Sequence, residues 1–311
     1  MNKTSKVAVT SRSFSKHPVL REELLARYEN VTFNDEGLKL VGEQLVDFLR
    51  GHDKAITALE KIDDNIFALL PELKVISKYG VGVDMIDIDA LRRNNIRFGW
   101  KGGVNKRSVS EMTIACAISL LRHFSEANQE VRNGVWRQHI GHQLSNQVVG
   151  IIGFGHIGKD LGMLLSAFGT KVLAYDILNF PEYYEQYNIT PVSLEELLKI
   201  SDIVTLHVPL DDSTRNILSK DKLNLMKTSA LLINHARGGL VDELELKLML
   251  KEGRLAGAAF DVFSNEPPDD LELLNIPNFF VTPHIGGSAE EGILAMGRAA
   301  IDGLEDNSIP M

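Results

Sequence analysis

The sequence has 311 residues, more than one domain usually contains, and 44% of them are hydrophobic, which is enough to fill two cores. A formal net charge of -9 without a basic stripe argues against nucleic-acid binding. The single cysteine, Cys116, excludes a disulfide framework within the chain, and no apolar run predicts a signal peptide or a membrane span, so a cytoplasmic protein is expected.

Short apolar runs alternate with helical patterns over the first hundred residues. The runs KVAVTS, NVTFND, KAITAL, LKVISKYG and NIRFGW predict strands, and VLREELLARY predicts a helix. In GLKLVGEQLVDFL, the apolar residues Leu38, Val41, Leu45, Phe48 and Leu49 share one helical face, which predicts an amphipathic helix. This alternation is typical of a parallel sheet covered by helices on both sides.

A second strand-helix series follows a long helical stretch. The stretch, SVSEMTIACAISLLRHFSEANQEVRNG, is interpreted as a connector or subunit interface. After it, VVGIIGF, KVLAYD, DIVTLHV, ALLINHA, LAGAAFDVF and NFFVTP predict strands, with helices in SLEELLKI and DELELKLMLKEG. The last helix, AEEGILAMGRAAIDGLED, is expected to pack back on the first sheet. The pattern therefore predicts an α/β protein with two doubly wound parallel-sheet domains.

A glycine-rich turn in the second series indicates dinucleotide binding. Gly153, Gly155 and Gly158 have complete G-x-G-x-x-G spacing between an apolar strand and a helix, and Asp176 ends the next strand. The glycines allow a tight turn, close approach of a pyrophosphate and close helix packing, and the helix N-terminus favours the anion. Asp176 can accept hydrogen bonds from both ribose hydroxyls and would repel a 2'-phosphate, so NAD is expected rather than NADP.

Charged residues follow three strands of the second series. Arg237 comes after ALLINHA, Glu266 after AAFDVFSN, and His284 after NFFVTP. Ligands of open parallel sheets bind beyond the carboxyl ends of the strands, so these side chains are expected to converge near the nicotinamide. Taken one at a time, Glu266 could cap a turn and His284 could be a core histidine; taken together they indicate an active site.

These segments resemble the D-isomer-specific 2-hydroxyacid dehydrogenase family, which includes 3-phosphoglycerate dehydrogenases and glyoxylate/hydroxypyruvate reductases. The segments ISKYGVGVDMID, GVNKRSVSEMTI, GIIGFGHIGKDL, LHVPL, INHARGGLVDE, AAFDVFSNEPP and TPHIGGS occur in the family's order. The resemblance implies a Rossmann-type nucleotide domain, 101–284, inserted into a flavodoxin-like substrate (catalytic) domain, 1–100 with 285–311. It also implies NAD as cofactor and a homodimer, with the long helical stretch as the dimerisation arm.

The resemblance further implies the roles of individual residues. Arg237 would bind the substrate carboxylate and polarise the carbonyl, His284 would be the general acid or base, and Glu266 would orient its imidazole. Substrate would also contact Val81 and Gly82. The expected cofactor-binding residues are Gly153, Gly155, His156, Ile157, Gly158, Asp176, His207, Pro209, His235, Ala236, Asp261 and Gly286. No metal site is expected.

Several alternatives stay open at the level of sequence. The expected activity is NAD-dependent interconversion of a D-2-hydroxy acid and its 2-keto acid, with 3-phosphoglycerate or glycerate, hydroxypyruvate and glyoxylate as leading substrates; a formate- or phosphite-like dehydrogenase or an NAD-sensing corepressor is the alternative. Trp100 could line the substrate pocket or pack under the cofactor. His235 could contact the nicotinamide ribose or have a local structural role.

Overall fold

Two separate parallel sheets organise the chain. The computed structural model describes residues 4–310, which form two compact units: residues up to Asn105 with those from Glu290 onward, and Lys106–Ala289. The strands are β1 (Lys6–Val9), β2 (Asn30–Phe33), β3 (Lys54–Thr57), β4 (Val75–Lys78), β5 (Arg97–Gly99), β6 (Val148–Ile152), β7 (Lys171–Tyr175), β8 (Ile189–Pro191), β9 (Ile203–Leu206), β10 (Leu231–Asn234), β11 (Gly257–Phe260) and β12 (Phe279–Val281).

Fourteen α-helices lie among the described residues. They are α1 (Arg12–Lys16), α2 (Pro18–Leu25), α3 (Glu43–Leu49), α4 (Asp64–Phe67), α5 (Ile88–Arg93), α6 (Lys106–Leu121), α7 (Phe124–Arg132), α8 (His156–Ala167), α9 (Pro181–Tyr187), α10 (Leu194–Ile200), α11 (Lys220–Leu223), α12 (Glu243–Lys251), α13 (Leu271–Leu274) and α14 (Glu290–Gly303), with a 3-10 turn at Leu144–Asn146. None of these helices has both the length and the hydropathy needed to cross a bilayer.

The first unit has a five-stranded sheet in the order β2-β1-β3-β4-β5, with every pairing parallel. This is the flavodoxin-like doubly wound order. Helices α3, α4 and α5 cover one face, and α1, α2 and α14 cover the other. The last helix therefore packs on the first sheet, as its sequence position predicted.

The second unit has a seven-stranded parallel sheet in the order β12-β11-β10-β9-β6-β7-β8. The order reverses between β6 and β9, which makes it a Rossmann-type sheet with a switch point beside the glycine-rich turn. Helices α6, α8 and α9 cover one face, and α10 to α13 cover the other. The strands β9, β10 and β11 are buried throughout, because both sheet faces are covered.

The structure differs from the sequence-based predictions in several elements, and the short helices α9, α11 and α13 were not predicted. The long helical stretch is two helices, α6 and α7, because His123 between them adopts a left-handed backbone with φ of 55°. The helix predicted over GLKLVGEQLVDFL begins only at Glu43, and Leu38 and Val41 are exposed rather than on the buried face. The strand β8 was not predicted, since only Ile189 of its three residues is buried.

Candidate active site

Arg237, Glu266 and His284 lie at one edge of the second sheet. They follow the carboxyl ends of β10, β11 and β12, which are consecutive neighbours in that sheet. Parallel strands end at the same edge, so three loops that are distant in sequence leave the sheet side by side.

His284 and Glu266 form a hydrogen-bonded pair. The Nδ1 atom of His284 lies 2.8 Å from Oε2 of Glu266, and Oε1 of the same carboxylate accepts from the backbone N–H of Phe263 at 3.1 Å. An ionised carboxylate only accepts, so Nδ1 carries the hydrogen and Nε2 is the ring atom that can take up or release a proton. A mainly apolar cavity of about 460 Å³ borders the pair, and both side chains are partly open to solvent.

Asp261 holds the loop on both sides of His284, through a side chain before it and backbone N–H groups after it. Its buried carboxylate accepts from the hydroxyl of Thr282 at 2.6 Å, and from the backbone N–H groups of Ile285 at 2.8 Å and Gly286 at 2.7 Å. These bonds hold His284 in the left-handed region, with φ of 55°. Asp261 and Gly286 were expected to contact the cofactor; here they bind each other, and a cofactor contact stays a prediction.

The turn that carries Arg237 is fixed by Asn234, a residue that sequence reasoning missed. The side-chain amide of Asn234 donates to the carbonyl of Arg237 at 2.8 Å, and its oxygen accepts from the N–H of Ala236 at 3.1 Å. Arg237 is half-buried, and its Nη1 donates to the carbonyl of Ala236 at 2.7 Å. An asparagine at the end of a predicted strand, three residues before Arg237, was the available sequence signal.

The glycine-rich turn connects β6 to α8. Gly153 has φ of 93°, and a Cβ atom on Gly158 would lie 2.2 Å from the carbonyl oxygen of Gly153, so neither position accepts a larger residue without strain. At exposed Gly155 a Cβ atom would meet no described atom within 4 Å. The next residues, exposed His156 and half-buried Ile157, form the first turn of α8, whose N-cap makes no side-chain hydrogen bond in the described chain.

Asp176 lies at the end of β7, beside this turn. Its Oδ2 accepts from the N–H of Phe154 at 2.5 Å, and its Oδ1 accepts from the N–H of Leu178 at 2.8 Å. An open backbone approach at a helix N-terminus, with a fixed carboxylate about 20 residues later, fits the pyrophosphate and the ribose hydroxyls of NAD.

Two histidines follow the central strands. His207, with Pro209 two residues on, follows β9, and Nε2 of His207 lies 3.0 Å from the hydroxyl of Thr205. His235 follows β10 and is buried. Burial, and more weakly the neighbouring His235, lowers the pKa of His207 from 6.5 to about 3. Both rings are therefore neutral at physiological pH.

The tautomer of His235 follows from its partner on α6. The hydroxyl of Thr113 donates to the carbonyl of Val109 at 2.8 Å, so its oxygen accepts from Nδ1 of His235 at 3.0 Å. Nε2 is then an acceptor, and it is enclosed without a hydrogen-bond partner among the described residues. Burial lowers the pKa of His235 from 6.5 to about 4, although nearby Asp261 opposes the shift.

Val81 and Gly82 belong to the first unit, in the loop after β4. The indole Nε1 of Trp100, at the end of β5, donates to the carbonyl of Val81 at 3.1 Å. Trp100 thus supports the loop that is expected to bind the substrate carboxylate. This contact was not among the roles considered for Trp100.

The comparisons with known proteins agree with this geometry. Residues 114–286 match the model of the D-isomer specific 2-hydroxyacid dehydrogenase, NAD binding domain. The chain belongs to this family. The matched segment contains the turn at Gly153, the residue Asp176 and the triad of charged residues, which confirms the expected family and NAD as its cofactor.

Relatives of the family cover most of the chain. It is 34% identical over 290 residues to a D-3-phosphoglycerate dehydrogenase of Methanocaldococcus jannaschii, covering 92% of this chain and 55% of that protein. It is 35% identical over 257 residues to a glyoxylate reductase of Thermococcus litoralis, covering 79% of this chain and 78% of the relative. The chain therefore spans about half the length of the first relative and most of the second.

A solved member of the family has the same fold. D-lactate dehydrogenase from Aquifex aeolicus, complexed with NAD and lactic acid, superposes with a TM-score of 0.83 at 25% identity, covering 96% of this chain and 93% of that one. The predicted fold class is confirmed. The comparisons support the expected 2-hydroxyacid dehydrogenase class of activity, and none of these relatives is a formate dehydrogenase, a phosphite dehydrogenase or a corepressor.

Proposed function

We propose that this protein interconverts a D-2-hydroxy acid and its 2-keto acid with NAD. The observation that carries the proposal is the 2.8 Å bond from Nδ1 of His284 to Glu266. His284 follows β12 and Arg237 follows β10, and β11 lies between these two strands in the sheet. The bond leaves Nε2 of His284 as the proton-transfer atom of a site that also offers a guanidinium for a carboxylate.

Each charged residue then has a defined role in the reaction. Arg237 binds the substrate carboxylate and polarises the carbonyl through its planar set of donors. His284 gives a proton from Nε2 to the carbonyl oxygen in reduction and accepts it back in oxidation. Glu266 keeps the ring in place and stabilises the imidazolium. Bound NADH supplies the hydride to the carbonyl carbon.

The proposed cofactor contacts include the glycine-rich turn and residues that follow other strands of the same sheet. Gly155 and the first turn of α8 would hold the pyrophosphate, and Asp176 the ribose. Nε2 of His235 is an enclosed acceptor that would take a hydrogen bond from a donor of the nicotinamide half of the cofactor. Asp176→Ser should reduce the preference for NADH over NADPH, which paired dissociation constants would measure.

The proposed substrates are 3-phosphoglycerate, or glycerate, hydroxypyruvate or glyoxylate. The supporting observation is that relatives in the family include a D-3-phosphoglycerate dehydrogenase and a glyoxylate reductase. Val81 and Gly82, with their loop supported by Trp100, would complete the carboxylate site. The cytoplasm is the proposed location, as a compartment that supplies NAD.

We also propose that the protein is a homodimer. None of the residues of α7 is buried, and Phe124, Trp136 and Ile140 on and beside it are more than half exposed. Exposed apolar side chains clustered on one segment are typical of an interface. Sedimentation that gives a concentration-independent monomer would refute the dimer.

Oxidation of NADH with hydroxypyruvate, glyoxylate, 3-phosphohydroxypyruvate and pyruvate tests the activity. One of these acids should be reduced, and His284→Ala should lower turnover by about 10²- to 10⁴-fold while NADH still binds. The matched control is His142→Gln, which removes an exposed imidazole of the same unit and should leave turnover unchanged. Firm NADH binding without reduction of any acid would contradict the proposal.

The role of Glu266 has its own test. Glu266→Gln should move the pH dependence of turnover rather than abolish it, because an amide can orient the ring but cannot stabilise the imidazolium as a carboxylate does. If the profile does not move, Glu266 is only a turn residue.

A further inference from the structure

A second cluster of histidines and carboxylates lies outside the proposed active site. It comprises His123 in the break between α6 and α7, Glu126 in the first turn of α7, and His139 in the loop that follows α7. One potential ligand atom from each residue lies within 4.8 Å of the others. We propose that these three side chains form a binding site for Zn²⁺ or a similar divalent transition metal.

The distances are close to those of a formed site. Nδ1 of His123 lies 3.9 Å from Oε2 of Glu126, and Nδ1 of His139 lies 3.8 Å from the same oxygen. Ligands of a tetrahedral zinc ion, each about 2.0–2.1 Å from the metal, are about 3.3–3.4 Å apart. The two distances to Glu126 would each have to shorten by roughly half an ångström, and the two imidazole nitrogens, which lie within 4.8 Å of each other, would have to reach a similar separation. Two imidazoles with one carboxylate are a known zinc set that leaves the fourth position to water.

Hydrogen bonding prepares His139 as a ligand. Its Nε2 lies 2.7 Å from Oε2 of Glu130, so the hydrogen is on Nε2 and the lone pair of Nδ1 points toward Glu126. A carboxylate on the outer nitrogen of a histidine is the arrangement that orients metal ligands in zinc sites. The side chain of His139 is only 11% exposed, so the ring is held rather than mobile.

The net charge around the three proposed ligands favours a cation. Arg137 contacts Glu130 and donates to Oε1 of Glu126 at 2.8 Å, which leaves Oε2 of Glu126 for the metal. Two carboxylates, one guanidinium and two neutral rings carry a net charge of about -1, which favours a divalent ion.

The left-handed backbone at His123 is part of the same arrangement. It turns the chain between α6 and α7 so that the ring of His123 lies against that of His139, with centroids 5.4 Å apart and an interplanar angle of 29°. A metal lies in the plane of each imidazole that binds it, so the ring of His123, 44% exposed, would rotate out of this stack on binding. A bound metal would tie the loop after α7 to the start of that helix. Sequence reasoning missed the site because its third ligand lies in an irregular segment, and only the H-x-x-E spacing at 123–126 could have indicated it.

Titration of the chelator-treated full chain with Zn²⁺, followed by calorimetry, tests the proposal. One equivalent per chain should bind, and His123→Gln and His139→Gln should each weaken binding at least about tenfold. Glu130→Gln, which removes no ligand, should weaken it by about 10- to 100-fold. Amide hydrogen exchange between residues 131 and 140 should slow on metal addition in the wild type only.

His52→Gln is the control, since it removes a histidine of the first unit and should keep the wild-type affinity. Circular dichroism of each metal-free variant establishes that it is folded, and the side chain of His123 is 44% exposed, so its replacement leaves the core unchanged. Absence of saturable binding, or an unchanged affinity in folded His123→Gln, would overturn the site; so would equal weakening by His52→Gln.

Discussion

The buried imidazole of His235 should make the protein less stable in acid. Its Nδ1 donates to Thr113 and its Nε2 is enclosed, so a second ring proton would have no acceptor among the described residues. Burial lowers the pKa of His235 from 6.5 to about 4. The perturbation that isolates this group is His235→Gln, which keeps a polar side chain but cannot titrate in this range.

The sign and size follow from linkage between protonation and folding. The unfolded chain takes up a proton below about pH 6.5 and the folded chain only below about 4, so the free energy of unfolding falls as the pH drops through this window. Between pH 7.5 and pH 5 the expected loss from His235 alone is about 2 kcal/mol. His207, with its pKa also lowered, contributes in the same direction.

Urea denaturation at a series of pH values measures the effect, without NAD because a ligand would add its own stabilisation. The unfolding free energy of His235→Gln should fall about 2 kcal/mol less than that of the wild type over this range, whatever its value at pH 7.5. His207 still titrates in the variant, so a shallower dependence should persist. The exposed-histidine control His142→Gln should follow the wild-type curve. Parallel curves for wild type and His235→Gln would refute the reasoning.

Three further predictions concern other parts of the fold. Gly158→Ala should lower the free energy of unfolding by about 1–3 kcal/mol because its Cβ meets a backbone oxygen, whereas Gly155→Ala should unfold like the wild type in urea yet bind NADH more weakly by calorimetry. Asp261→Asn should lower stability by about 1–3 kcal/mol and reduce turnover in steady-state assays, because one amide oxygen cannot accept all three bonds. Burial, and then its bond to Glu305, raises the pKa of Tyr28, so the wild type should lose stability between about pH 9 and 11, and Tyr28→Phe should lose less over the same range. An unchanged melting temperature for Gly158→Ala would contradict the first expectation. Full turnover for Asp261→Asn, or equal alkaline losses for the wild type and Tyr28→Phe, would contradict the other two.

The strands of both sheets could be predicted because buried parallel strands have a simple pattern. Runs such as ALLI and GAAF are apolar throughout, since helices cover both faces of the sheet. The strand β8 lies at the edge, and its three residues Ile-Thr-Pro contain one buried position, which is too short a signal for a pattern of period two.

The errors in helix prediction have backbone causes. Apolar periodicity continues across His123, but one residue with positive φ ends the helical run. Histidine adopts this conformation more often than most residues but other conformations far more often, so its presence does not predict a break. In the segment before α3, Gly42 also has a positive φ of 54°, so the chain cannot carry the helical pattern of Leu38 and Val41 into Glu43. The spacing of apolar residues predicts which face of a helix would be buried, but it does not predict where the helix begins.

The residues of the candidate active site could be predicted from the sequence, but the hydrogen bonds that hold them in place could not. Parallel topology brings Arg237, Glu266 and His284 to one sheet edge, because each lies in the loop that follows a strand. The bonds of Asp261 to the loop of His284 depend on where backbone N–H groups point after β12, and this is a tertiary property. The sequence therefore gives the residues that face the ligand more readily than those that position them.

Two carboxylates from the end of one strand hold His284 in different ways. Asp261 binds the hydroxyl of Thr282 before the histidine and backbone N–H groups after it, and Glu266 binds its ring. The loop that carries the ring and the ring itself are therefore held by separate residues five positions apart. This separation explains why Glu266→Gln should change the pH dependence with the ring still in place, while Asp261→Asn should lower turnover without moving that dependence.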